Sequence, residues 1–187
     1  YGAYPDFAPL PYVQEEPSPG WRDAGIICPY TIYKVYGDTR VIERHFDAMK
    51  KFFMWQLSIS EDHIVPVKGN CWGDWLATAG KPSNAFLATA YFAYDAKLMA
   101  EMAQAIKRSG EAERFGEQFD KIKSAFNRKF VSPDGRIVFK NSAGKPPYET
   151  QTAYAMALYM DLLPAKLRTN AGKRLVALIS KNNGHLS

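Results

Sequence analysis

The chain has 187 residues, 47% hydrophobic and 23% charged, which suits a folded domain with a sizeable core and argues against disorder. The net charge of +5 comes from 24 basic and 19 acidic residues; the basic doublets Lys50-Lys51, Lys107-Arg108, Arg128-Lys129 and Lys173-Arg174 are dispersed through helical patterns, which argues against a nucleic-acid groove. No apolar run approaches the ~18 residues of a membrane span, and Cys28, Cys71 and three histidines lack the spacing of a disulfide framework or a zinc site, so no cofactor is implied.

The chain opens on Tyr1-Gly2-Ala3-Tyr4-Pro5-Asp6, with no initiator methionine, basic n-region or apolar h-region, and reads as an internal start. Residues 1–20 form a Pro-rich arm, because Pro5, Pro9, Pro11, Pro17 and Pro19 exclude a helix or a central strand. A helix is expected over 23–36, with Pro29 in its first turn or at a bend. Gly37 then serves as its C′ residue and Asp38 as the N-cap of the next helix. That second helix runs over 39–56, with Ile42, Phe46, Met49 and Phe53 on one face. Residues 59–84 are a long irregular connection, of a length that is usually functional.

A third helix is expected over 85–109, broken by Gly110, and a fourth over 111–130. Pro133-Asp134-Gly135 is a turn, and 136–140 one short strand. The last two helices cover 150–162 and 165–181, separated by Pro164. The result is one all-α domain over 1–187, with helical hairpins over 21–58, 85–130 and 150–183. A Thr-x-Tyr motif recurs about 60 residues apart, at Thr31/Tyr33, Thr89/Tyr91 and Thr152/Tyr154, always in the first helix of a hairpin. An α/α toroid or an α-solenoid fits, with the odd helices inward and the even helices outside.

Three segments carry candidate chemistry. In Gly20-Trp21-Arg22-Asp23 an indole sits two residues from an acid at a loop-to-helix junction; it is either a packed Trp beside an N-cap Asp or a sugar platform. An indole face stacks on the C–H face of a pyranose, while a carboxylate accepts hydroxyl hydrogen bonds. In Asn70-Cys71-Trp72-Gly73-Asp74-Trp75 two indoles bracket Asp74, and Gly73 allows a tight backbone path. Tyr148-Glu149-Thr150-Gln151 sits at the matching end of the third hairpin, either as a helix cap or as a further part of the site. Asp6 is a weaker candidate. His45, His63 and His185 read as surface or packing residues. The expected ligand-binding set is Trp21, Asp23, Trp72, Asp74, Trp75 and Glu149. P-loop, GxGxxG and GxSxG motifs are absent from the sequence.

At these residues the sequence resembles bacterial α-L-rhamnosidases of glycoside hydrolase family 78, in the middle of the catalytic domain. The stretches that carry the resemblance are Gly2-Ala3-Tyr4-Pro5-Asp6-Phe7-Ala8-Pro9, Gly20-Trp21-Arg22-Asp23-Ala24, Tyr36-Gly37-Asp38 and Val41-Ile42-Glu43-Arg44. They continue with Gly73-Asp74-Trp75, Thr89-Ala90-Tyr91-Phe92, Thr150-Gln151-Thr152-Ala153-Tyr154-Ala155 and Gly184-His185-Leu186-Ser187. The resemblance implies about half of an (α/α)6 barrel, and an inverting hydrolysis of terminal α-L-rhamnose by two carboxylic residues ~6.5–9.5 Å apart. It implies that Trp21 and Trp75 line the rhamnose pocket. The family's acid lies in a Glu-x-x-Gly-Trp-x-Gly-Asp segment and its base beyond the Gly-His-Leu stretch. Neither is found here, so this chain is expected to bind sugar without turnover of its own and to contribute no catalytic residue. An open half-toroid would also expose apolar inner-helix surface, a liability for self-association. Family habit favours a periplasmic or secreted location. A trehalase- or glucoamylase-type toroid and a non-catalytic helical-repeat binding module remain as alternatives.

Overall fold

A computed structural model describes residues 2–7, 18–67, 71–78, 80–139 and 147–186. Among them are six α-helices: α1 (Ala24–Tyr36), α2 (Arg40–Ile59), α3 (Asn84–Ala105), α4 (Ser109–Phe130), α5 (Gln151–Tyr159) and α6 (Ala165–Lys181). They form three antiparallel hairpins. None of the described helices is long and apolar enough to cross a membrane.

The central element is α3. Its Ala-rich sequence lets neighbours approach from several sides, and Phe86, Ala90, Phe92, Ala96, Leu98 and Met99 are all essentially inaccessible. It packs on α4 along most of its length and also touches α1 and α2. The second helix is amphipathic, burying Ile42, Phe46, Met49, Phe52 and Phe53 as its sequence period requires. Aromatic rings join the hairpins: Phe53 meets Phe92 at 5.1 Å and Phe115 at 5.1 Å, and Phe46 meets Phe115 edge-on at 6.2 Å. Phe86 lies among Phe126, Phe130 and Phe139 at 5.0–5.4 Å. The odd helices share a concave face, since a groove of about 880 Å3 is lined by Tyr30 of α1, Tyr94, Lys97 and Glu101 of α3, and Met156 and Tyr159 of α5.

Local departures from the sequence reading have physical causes. Pro29 lies inside α1, in its second turn. Gly37 ends α1 as expected, its N–H bonded to Tyr33 O at 2.8 Å. Asp38 stands one residue before the N-cap position, which Thr39 takes, and still accepts the Arg40 N–H at 2.9 Å. Gly110 does not break a helix; it lies in the first turn of α4. The reversal is made at Ile106–Arg108, where Lys107 adopts a left-handed φ of 61° and Arg108 N–H bonds Ala103 O at 2.8 Å. The strand expected over 136–140 is reduced to isolated bridges, Val131 to Ile137 and Phe139 to Tyr148, and Lys140 lies outside the described residues.

Phe86 has no exposed surface and three ring neighbours, so Phe86→Ala should destabilise the fold by about 3–5 kcal/mol, read by chemical denaturation. A loss below about 1 kcal/mol would mean that the aromatic cluster does not hold α3 to α4.

Candidate sugar-binding site

The site grows from one turn. Residues 18–23 fold back on Ser18, whose carbonyl accepts the N–H of Trp21 at 3.2 Å and of Arg22 at 3.4 Å. Gly20 has φ +85°, and a Cβ there would stand 3.1 Å from the Tyr91 hydroxyl. This backbone path suits glycine alone. It sends the Trp21 and Arg22 side chains to different places. Trp21 is 43% exposed, while Arg22 is buried.

Arg22 is fixed by Asp6. Its Nε donates to Asp6 Oδ1 at 2.7 Å, and both side chains are almost completely buried. The guanidinium also lies over the Trp55 ring, 5.5 Å from its centroid. The other oxygen of Asp6 accepts the indole N–H of Trp72 at 2.9 Å. One carboxylate therefore holds the turn and the 71–78 loop together. Trp72 sits between two other indoles, 5.7 Å from Trp21 and 5.1 Å from Trp75. Trp75 is 56% exposed, so the cluster presents open aromatic surface at the end of the inner helices.

Asp74, between Trp72 and Trp75 in sequence, accepts the Thr152 hydroxyl at 2.8 Å, which ties the loop to α5. Gly73 has φ +60°, and a Cβ there would stand 2.9 Å from Asn84 Oδ1. The loop can therefore run close to the start of α3 only with glycine at that position. Asn70, grouped with this loop in the sequence, lies outside the described residues.

Asp23 is 2% exposed and lies beneath the turn. It occupies the N-cap position of α1 without bonding forward into the helix. Its Oδ2 reaches back to accept Gly20 N–H at 2.6 Å, and its Oδ1 accepts Gln56 Nε2 at 3.0 Å. Burial pushes its carboxyl up from the ordinary range, against the donors that hold it ionised. Glu149 belongs to a different cluster. It accepts the Tyr154 hydroxyl and lies 3.4 Å from Arg174 and 3.6 Å from Arg136. The structure thus brings Trp21, Trp72, Trp75 and Asp74 together, places Asp23 behind them, and ties Glu149 to α6.

Three residues outside the expected set shape the site. Asp6 was a weak candidate in the arm. Tyr91 packs under Gly20 and lines the concave groove, and its hydroxyl is pushed up by burial and then by Asp23, Asp95 and Asp74. Thr152 holds Asp74. The last two are members of the Thr-x-Tyr repeat, which was the available signal. Among the described residues, no three His, Cys, Asp or Glu side chains gather as a metal site.

Asp6→Ala would break the buried ion pair with Arg22, so a loss of about 3–5 kcal/mol is expected, with a red shift of tryptophan emission as Trp72 is released. Unchanged emission and stability would show that Asp6 does not organise the indole cluster.

Residues 1–187 match the family model for the bacterial alpha-L-rhamnosidase 6 hairpin glycosidase domain. The chain is 33% identical to an alpha-L-rhamnosidase of Streptomyces avermitilis, over all of this chain and 17% of that protein. It is 32% identical to an alpha-L-rhamnosidase of Formosa agariphila, over 90% of this chain and 18% of that protein. The crystal structure of the Streptomyces avermitilis enzyme complexed with L-rhamnose superposes over all of this chain with a TM-score of 0.88. The chain thus spans less than a fifth of the length of these relatives. With its three hairpins, its ordered motifs and a match from end to end, the chain belongs to the bacterial alpha-L-rhamnosidase six-hairpin glycosidase family.

Proposed function

We propose that this chain is about half of the catalytic barrel of an α-L-rhamnosidase, and that it supplies the aromatic wall on which a terminal L-rhamnose lies. The observation that carries the reading is the set of three touching indoles, two of them more than 40% exposed, beside the Gly20 turn that packs on Tyr91. Indole faces bind the C–H face of a pyranose, and the C6 methyl of rhamnose extends that apolar face. Asp74 turns Oδ2 to Thr152, which leaves Oδ1 for a sugar hydroxyl. The relative with L-rhamnose bound has this fold over the whole of the chain, which supports the same sugar class here.

Three other carboxylates near the site are engaged by the protein itself. Asp6 holds Arg22 and Trp72, Asp23 holds Gly20 and Gln56, and Glu149 is engaged by Tyr154 and two arginines. Inverting hydrolysis needs a protonated acid on the leaving oxygen and a base on a water at the opposite face. These three acids are poorly placed for either task. In this reading the chain binds and orients the sugar, and residues outside it transfer the protons.

Titration with L-rhamnose, and with D-glucose in parallel, should give a saturable change of tryptophan fluorescence with L-rhamnose only. Trp75→Ala should weaken that response at least tenfold, because it removes the most exposed of the three rings. A response to D-glucose, or an L-rhamnose response indifferent to Trp75→Ala, would remove the support for this reading.

A further inference from the structure

Asp95 lies in the middle of α3 with no exposed surface. Among the described residues, no donor meets either of its oxygens in good hydrogen-bond geometry, and the Gln56 amide near it is already given to Asp23. The two carboxyl groups are within hydrogen-bonding reach of each other. Two bare carboxylates in contact in a dry site repel, whereas one proton between them makes a hydrogen bond. Asp23 is the partner suited to keep its charge, because Gly20 N–H and Gln56 Nε2 already donate to it. Asp95 is suited to hold the proton.

We propose that Asp95 is a positioning residue for the Trp21 turn, acting through a hydrogen bond from its carboxyl group to Asp23. Asp23 grips Gly20, and Gly20 sets the backbone path that presents Trp21. Asp95 on α3 and Gln56 on α2 together fix the oxygen atoms that do the gripping. The sugar-binding consequence rests on the reading of the indole wall given above; the positioning of Trp21 does not.

The groups that face the pair bear on its titration. Tyr4 comes from the N-terminal segment, Tyr91 from α3, Gln56 from α2, and Asp74 lies beyond Tyr91. Both phenols are pushed up, by burial first and by the carboxylates second, which favours their neutral form. Arg22, next to Asp23 in sequence, directs its Nε at Asp6. Burial, and then the charge of Asp23, hold the Asp95 carboxyl well above the ordinary carboxylate range. A carboxyl raised in this way contributes stability that is complete below its unfolded value and is lost as pH rises through its folded value. The turn should therefore loosen toward alkaline pH.

The test is 19F NMR of the intact protein labelled with 5-fluorotryptophan, without sugar, from about pH 4 to about pH 9. The Trp21 resonance is assigned by its loss in Trp21→Phe. In the wild type it should move as pH rises above the ordinary carboxylate range. In Asp95→Asn, which keeps a donor and cannot ionise, it should hold the low-pH position throughout. In Asp95→Ala it should be displaced at every pH. A resonance that titrates in Asp95→Asn as in the wild type would overturn the proposal. So would Asp95→Ala with native circular dichroism and an unmoved resonance. Addition of L-rhamnose separates the two readings. Affinity should fall at least tenfold toward alkaline pH in the wild type and stay level in Asp95→Asn. If Trp21 titrates as described but no indole responds to L-rhamnose, the positioning role stands and the sugar reading fails.

Discussion

The carboxylate of Asp6 is the constraint on which the site depends. It sits at the meeting point of three stretches far apart in sequence: the N-terminal segment, the turn that opens α1, and the loop before α3. A charge in this position would be costly to bury alone, and Arg22 and the Trp72 indole N–H offset that cost. The bonds fix more than stability. They set the distance between the two segments that carry Trp21 and Trp75, so the spacing of the indole cluster is decided by a buried acid. A buried ion pair of this kind specifies geometry more than it adds net stabilisation.

The scaffold was largely legible in the sequence. Helical periodicity gave six helices and their pairing, because an amphipathic outer helix such as α2 must repeat its apolar residues every third or fourth position. The resemblance extended this to the barrel type. The boundaries were less legible. Gly110 looked like a breaker, yet the turn fell on Lys107, where the closing bonds to Ala103 and Gln104 outweigh the strain of a left-handed lysine. The Thr-x-Tyr repeat was a real signal of inner helices, but its copies do different work. Thr31 bonds within its own helix, Thr89 accepts Val65 N–H, and Thr152 holds Asp74. Local spacing cannot distinguish these, because each role is set by the loop that happens to arrive.

The site was legible in its aromatic half and opaque in its acidic half. Tryptophans in loops are conspicuous, and the three come together. Acids are common, and nothing in a linear pattern says whether one faces solvent or lies beneath a turn. Asp23 and Asp95 are 72 positions apart, and Asp95 sits in an Ala-rich apolar helix where its partner cannot be guessed. The role proposed for it rests on the burial of both carboxyls and their interaction in the folded chain.

The third hairpin is attached differently from the other two. The helices α5 and α6 pack on each other, whereas α1 to α4 form one continuous set of helix–helix contacts. The link between the two groups runs through the shared apolar core, which takes in Ala153, Tyr154, Ala157, Leu162 and Leu163, through residues 131–139, pinned by Tyr154 to Ile137, and through polar bridges such as Thr152 to Asp74 and Asn127 to the Leu162 carbonyl. The sparser helix–helix packing of the third hairpin should lower its opening free energy relative to that of α3. Backbone amides of α3 should be the slowest to exchange with solvent, and those of α5 and α6 should exchange earlier as a block. The Trp75 loop, held at one end by Asp6 and at the other by α5, would then gain freedom each time the third hairpin opens.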